Sequence, residues 1–107
     1  MNEYPTEEQL KFIKEFDMTK HPVYELLDFI EPIWEYGDWG FHRQAHEFEL
    51  HTGGWSGNED IIEALHQNFI FWSMYWAKSE RGGHIYFNDR LGTVPTKHNA
   101  TFIKETK

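Results

Sequence analysis

Apolar positions along the chain follow two rhythms, and the change falls near residue 33. Leu10, Ile13 and Phe16 recur at helical spacing, behind a Thr6–Gln9 pair with the reciprocal interval of a capping box. Val23, Leu26, Leu27 and Ile30 mark the face of a second helix, with Pro22 at its first turn and Pro32 as its stop. From Ile33 the period shortens. WEY, WGFHRQ and HEFELHT alternate around Gly37 and Gly40, which predicts antiparallel strands. In the last of these, Phe48 and Leu50 face one way while Glu47, Glu49 and His51 face the other.

The longest helical pattern is carried by Ile61, Ile62, Leu65, Phe69, Trp72 and Trp76, and predicts one helix over about residues 56–79. Ser56 with Glu59 supplies a second capping-box interval, and Asn58 is an alternative cap. The back of the first half (Glu59, Asp60, Glu63, His66, Gln67) suits water. The back of the second half (Ile70, Phe71, Met74, Tyr75) does not, and calls for cover from the N-terminal helices or another chain. RGG then leads into HIYFN, a short strand, and a tail containing TFIKET. A strand, a glycine turn, a helix, a glycine turn and a strand in that order predict Phe48–Thr52 and His84–Phe87 parallel, joined by a right-handed crossover. The expected architecture is a single α+β domain over 1–107. It has N-terminal helices, a small mixed or antiparallel sheet, and one long helix packed across it.

Composition trims the functional classes. Aromatic residues make up 18% of the 107, so large rings should fill much of the core. Cysteine is absent, which removes disulfides and thiolate chemistry. No apolar run approaches the ~20 residues of a membrane span, and the start lacks the order of a signal peptide, so a cytoplasmic setting away from membranes is expected. Asn99-Ala100-Thr101 fits the glycosylation pattern but is discounted in that setting. The net charge of −8 splits into ten acids against three lysines over residues 1–38, and eight acids against seven bases thereafter. That balance disfavours nucleic acid as a partner, most strongly for the first third.

Candidate chemistry gathers in the turns. Gly53, Gly54 and Gly57 of GGWSGN would let the backbone approach a ligand at a helix start, where free N–H groups attract anions. The segment lacks the Lys-Ser/Thr ending of a P-loop and the spacing of a dinucleotide fingerprint, and a capped turn is the plainer reading. Gly54-Trp55-Ser56-Gly57-Asn58 approaches a nucleophile elbow, but Asn58 stands where the last glycine belongs. The base would have to be His51 or His84, and no catalytic residue is assigned. His42 and His46, with Glu47 or Glu49, have the residue types of an open metal site. A turn between Gln44 and His46 would spoil that spacing, so neither metal nor cofactor is expected. Trp39 and Trp55 lie in glycine-bordered turns, suited to stacking on a planar ligand or anchoring a partner. Arg81 could fork onto phosphate or carboxylate, or simply close a helix, and His84 follows it. With the helix ends roughly 34 Å apart, Trp55 and Arg81 would meet only across a two-fold dimer.

TGGWSGNEDIIEAL, FWSMYW and RGGHIYF, in this order and spacing, resemble a pattern in small proteins of tailed phages and prophages, over roughly residues 52–87. The pattern brings no activity and no catalytic residue with it. It implies a phage-type accessory protein in a bacterial cytoplasm, where many such proteins bind host factors or signals. Three functional expectations follow. The first is a non-enzymatic binding protein, oligomeric, acting in counter-defence by capturing a host protein or a small anionic, nucleotide-like ligand. Its ligand-binding residues are Trp39, Gly53, Gly54, Trp55, Ser56, Gly57, Asn58, Arg81 and His84. The others are a small hydrolase using the histidines, with or without a metal, and a phage structural or assembly component.

Overall fold

The computed structural model describes residues 4–44 and 47–88; His46, TFIKET and Asn99 lie outside the described residues. Helix α1 spans Glu7–Glu15, and its capping box forms as expected: Thr6 Oγ1 accepts from Gln9 N–H while Gln9 Oε1 accepts from Thr6 N–H. Helix α2 spans Val23–Ile30 and buries Val23, Leu26, Leu27 and Ile30, the face its spacing marks. A 3-10 turn at Glu31–Ile33 ends it at Pro32.

WEY is not a strand. Tyr36 takes a left-handed backbone (φ 66°), and its carbonyl accepts from the N–H groups of Trp39 and Gly40. These bonds wind Gly37–Gly40 into a single turn, α3. Strand β1 then spans Phe41–Arg43 and β2 spans Glu47–His51, paired antiparallel. Phe48 and Leu50 are fully buried and Glu49 and His51 point to the other face, as the alternation requires.

The long helix is broken. Helix α4 spans Ser56–Gln67, helix α5 spans Phe69–Tyr75, and strand β3 spans Trp76–Glu80. Asn68 makes the break (φ −82°, ψ 89°): its side chain accepts from Phe71 N–H, capping α5, and donates to the carbonyls of Ile13 and Phe16 in and beyond α1. Three side-chain hydrogen bonds inside the core outweigh one more helical residue. The break also turns the helix face. Phe71 and Tyr75, expected on the outer back, are buried, while Phe69 of the expected core stripe is 78% exposed.

Strand β4 spans His84–Asn88 and pairs antiparallel with both β2 and β3, giving a sheet of order β1-β2-β4-β3. The parallel crossover expected between β2 and β4 does not occur, because α5 returns the chain as β3 and a hairpin follows. WAKSE has helix-forming residues at Ala77, Lys78 and Glu80. The Gly82–Gly83 turn nevertheless sets it against HIYFN, and ladder bonds decide the conformation. The helices cover one face of the sheet. Phe48 and Phe87 stack there at 4.7 Å and meet Phe71, with Ile61, Leu65, Leu26 and Ile30 in the same core. The fold is α+β, with its sheet antiparallel throughout and the opposite sheet face left for side chains of another kind.

Candidate functional site

Register places that other face. His42, Glu49, Tyr86 and Lys78 form one row across the sheet, and His51, His84 and Glu80 form the next. Alternation alone brings these titratable side chains together, because each occupies the outward parity of its strand.

A hydrogen-bonded chain runs from the first row into the second. Glu49 Oε1 lies 3.1 Å from His51 Nε2, and His51 Nδ1 lies 2.7 Å from His84 Nδ1. An ionised carboxylate only accepts, so His51 carries its proton on Nε2 in that bond. The contact between the two Nδ1 atoms then holds a single proton. The His51 side chain is 13% exposed; the rings of Tyr86 and His42 stand edge-on to it at 5.9 and 5.8 Å, and the Trp39 ring is 6.4 Å away. His42 turns its Nε2 to the Trp39 carbonyl oxygen. On the neighbouring strands, Lys78 pairs with Glu80 at 3.1 Å, and Glu80 accepts from the Tyr86 hydroxyl at 3.2 Å. Lys78 beside it, by hydrogen bond and charge, holds the Glu80 carboxyl below its ordinary value. Burial, and then Glu80, push the Tyr86 phenol above its own.

Two glycine turns meet at the end of this row. Thr52 N–H donates to Gly83 O at 2.9 Å, and a Cβ on Gly83 would stand 2.0 Å from Thr52 Oγ1. Gly83 (φ 80°) is therefore required twice over, by its backbone and by the close approach. Gly53, also left-handed, lies under the Tyr36 and Trp39 rings: a Cβ there would be 2.9 Å from the first and 3.4 Å from the second. Those two rings stack at an interplanar angle of 17°, and Trp39 keeps half its surface in water.

The candidate residues therefore divide into two groups. Trp39, Gly53, Gly54, His84 and the turn opened by Arg81 share one corner of a single chain. The expected separation of the two turns by a straight helix is overturned, since the break at Asn68 and the β3–β4 hairpin carry the second turn back to the first. Arg81 is an exposed hairpin residue, not a helix terminus. Trp55, Ser56, Gly57 and Asn58 turn elsewhere. The Trp55 ring packs on Tyr4 at 5.1 Å and lies over Gly57, where a Cβ would meet it at 2.4 Å. Trp55 is the N-cap position of α4 and Ser56 stands one residue inside, so Ser56 does not cap. Its hydroxyl meets Tyr4 Oη at 2.6 Å, a phenol and not a base. Asn58 is fully buried: it accepts from Glu35 N–H and donates to the carbonyls of Glu35 and Thr52. It ties β2's exit to the turn after α2.

Sequence reasoning placed His51 on the wet face of its strand but did not pair it with His84. Gly82-Gly83 marks only the β3–β4 hairpin; the β2–β4 pairing that sets His84 opposite His51 has no local mark in the sequence. Among the described residues, no group of three or more histidines or carboxylates is placed to hold a metal ion. No helix among them is long and apolar enough to cross a membrane. No family model, curated protein or solved structure matches the chain.

Proposed function

We propose that the chain is a non-enzymatic binding protein that captures a small anionic ligand with a planar group, of nucleotide type, at the corner where the two glycine turns meet. The observation that supports this reading is the meeting itself. Exposed Trp39 over Gly53, the His51–His84 pair and the Arg81 turn converge within one chain. An aromatic plate beside an imidazole, with an arginine on the adjoining turn, is the chemistry that a planar group bearing a phosphate or carboxylate needs. The phage-type resemblance sets this activity in a host cytoplasm, where capture of a nucleotide signal would serve counter-defence. We propose also that the protein self-associates. Phe69, Ile70, Met74 and Trp76 are 78, 45, 42 and 41% exposed, and a recess lined by Ile62, His66, Trp72 and Trp76 lies beside them.

Calorimetric titration with nucleoside monophosphates tests the site. Binding is expected, and Trp39→Ala and Arg81→Ala should each weaken it roughly tenfold, the scale of one lost stacking or charge contact. Unchanged binding in both variants would place the ligand elsewhere. A second reading, a small hydrolase, draws on the Glu49–His51–His84 chain, which has the order of a carboxylate-oriented base. Turnover of a bound phosphoester, lost in His84→Gln, would favour it.

A further inference from the structure

We propose that His84 Nε2 is the ligand-facing atom of this corner, and that an oxyanion enters together with one proton taken up by the His51–His84 pair. The proposal rests on the anion-binding reading above and adds its regulation.

The logic lies in the order of donors and acceptors. Glu49 fixes the His51 proton on Nε2. With the pair uncharged, His51 Nδ1 is then a lone pair, and the proton between the rings belongs to His84 Nδ1. That leaves His84 Nε2 as a bare lone pair, which repels an anion. One added proton reverses it. The extra charge sits on either ring, since the inter-ring proton can belong to either Nδ1, but in both descriptions His84 Nε2 carries a hydrogen and donates. The pair thus converts protonation into an inverted polarity at one atom. That atom lies at the turn: a Cβ on Gly82 would stand 3.2 Å from it.

The surrounding charges have defined places. Glu49 lies behind His51 on β2, and Glu80 lies across from His84 on β3, already held by Lys78. From β1, His42 meets His51 edge-on with its Nε2 committed to the Trp39 carbonyl; from β4, the Tyr86 hydroxyl is committed to Glu80. Arg81 belongs to the same turn as Gly82 and is exposed. Histidine is the side chain whose ordinary charge change falls between about pH 5 and 8.

Two measurements on the full chain decide the matter. Nitrogen-15 NMR of the imidazoles at the upper end of that range should find His84 protonated on Nδ1 and bare on Nε2, the tautomer that free imidazole side chains disfavour. Calorimetry with adenosine monophosphate, and separately with inorganic phosphate, in buffers of differing ionisation enthalpy should show uptake of about one proton per ligand. Affinity should fall as pH rises through that range, by up to roughly tenfold per unit. Glu49→Gln should move that fall to lower pH, and His84→Gln should abolish proton uptake. Binding of adenosine monophosphate but not phosphate assigns the planar group as essential and leaves the proton coupling in force. Binding of either probe without proton uptake, or His84 protonated on Nε2 throughout, overturns this inference and leaves the anion site standing. No binding of either probe across the range removes both.

Discussion

Asn58 and Ser56 stand two residues apart at the start of α4, and exchange for alanine should affect them very differently. Asn58 satisfies two backbone groups of Glu35 and one of Thr52 from a fully buried position. Asn58→Ala strands several of them away from water and should cost about 1–3 kcal/mol. Ser56 is exposed, and among the described residues its hydroxyl meets the Tyr4 phenol at the surface. Ser56→Ala should stay within about 0.5 kcal/mol. Urea unfolding of the two variants checks both, and a costly Ser56→Ala would restore it as the cap. Tyr86 gives the same scale a pH dependence. Its folded pKa is raised by burial and by Glu80, so its contribution to stability is complete below the unfolded value of about 10 and is lost as pH climbs through the folded one. Stability should therefore drop in alkali, and Tyr86→Phe should flatten that drop.

Among the elements, the β3–β4 hairpin decides where the site lies, and Gly83 decides whether the hairpin can dock. Alanine there must adopt a left-handed backbone and displace Thr52 Oγ1, which is buried and accepts from Gly54 N–H. Gly83→Ala should cost about 2–4 kcal/mol, from backbone strain plus overpacking. Adding Thr52→Ala should return part of the loss, a coupling that thermal melts of the four combinations would measure. How far such elements were legible depends on where their causes lie. The capping box of α1, the apolar face of α2 and the alternation of β2 are written in neighbouring residues, and the chain obeys them. The break after Gln67 is not legible, because the acceptors that hold Asn68 sit in and just beyond α1, more than fifty positions away in sequence. Trp72 and Trp76 reinforced the error: they keep helical spacing and do stack, at 6.0 Å, although Trp76 already belongs to β3. Of the candidate site, the glycines, Trp39 and His84 are visible as punctuation and chemistry. Their meeting is not, since a base followed by Gly-Gly marks a helix stop and a hairpin turn alike.

At the scale of the whole molecule, one surface is crowded with polar rings and the other carries exposed apolar ones. Ile70 and Met74 stand on α5 with nearly half of their surface in water, so glutamate at both positions leaves the core intact. If this surface joins two copies, light scattering should find a dimer in the native chain and a folded monomer in the Ile70→Glu, Met74→Glu variant. A native monomer would end the idea. The polar surface would survive either result, because all its residues come from one chain.

Asn68 carries a further consequence, for the order in which the molecule comes apart. Its amide spends both hydrogens on carbonyls of the N-terminal segment and its oxygen on the first turn of α5. When α1 lifts away, that amide is left facing apolar surroundings with nothing to donate to, and the start of α5 loses its reason to hold. Fraying at the beginning of the chain is thereby felt in the stretch that feeds β3. The amide protons of Phe71–Tyr75 can stay protected from solvent exchange only as long as Leu10–Ile13 do, so the chain opens there as one foldon. The first helix is a lock on the middle of the protein, and clipping it would release residues that it never touches in sequence.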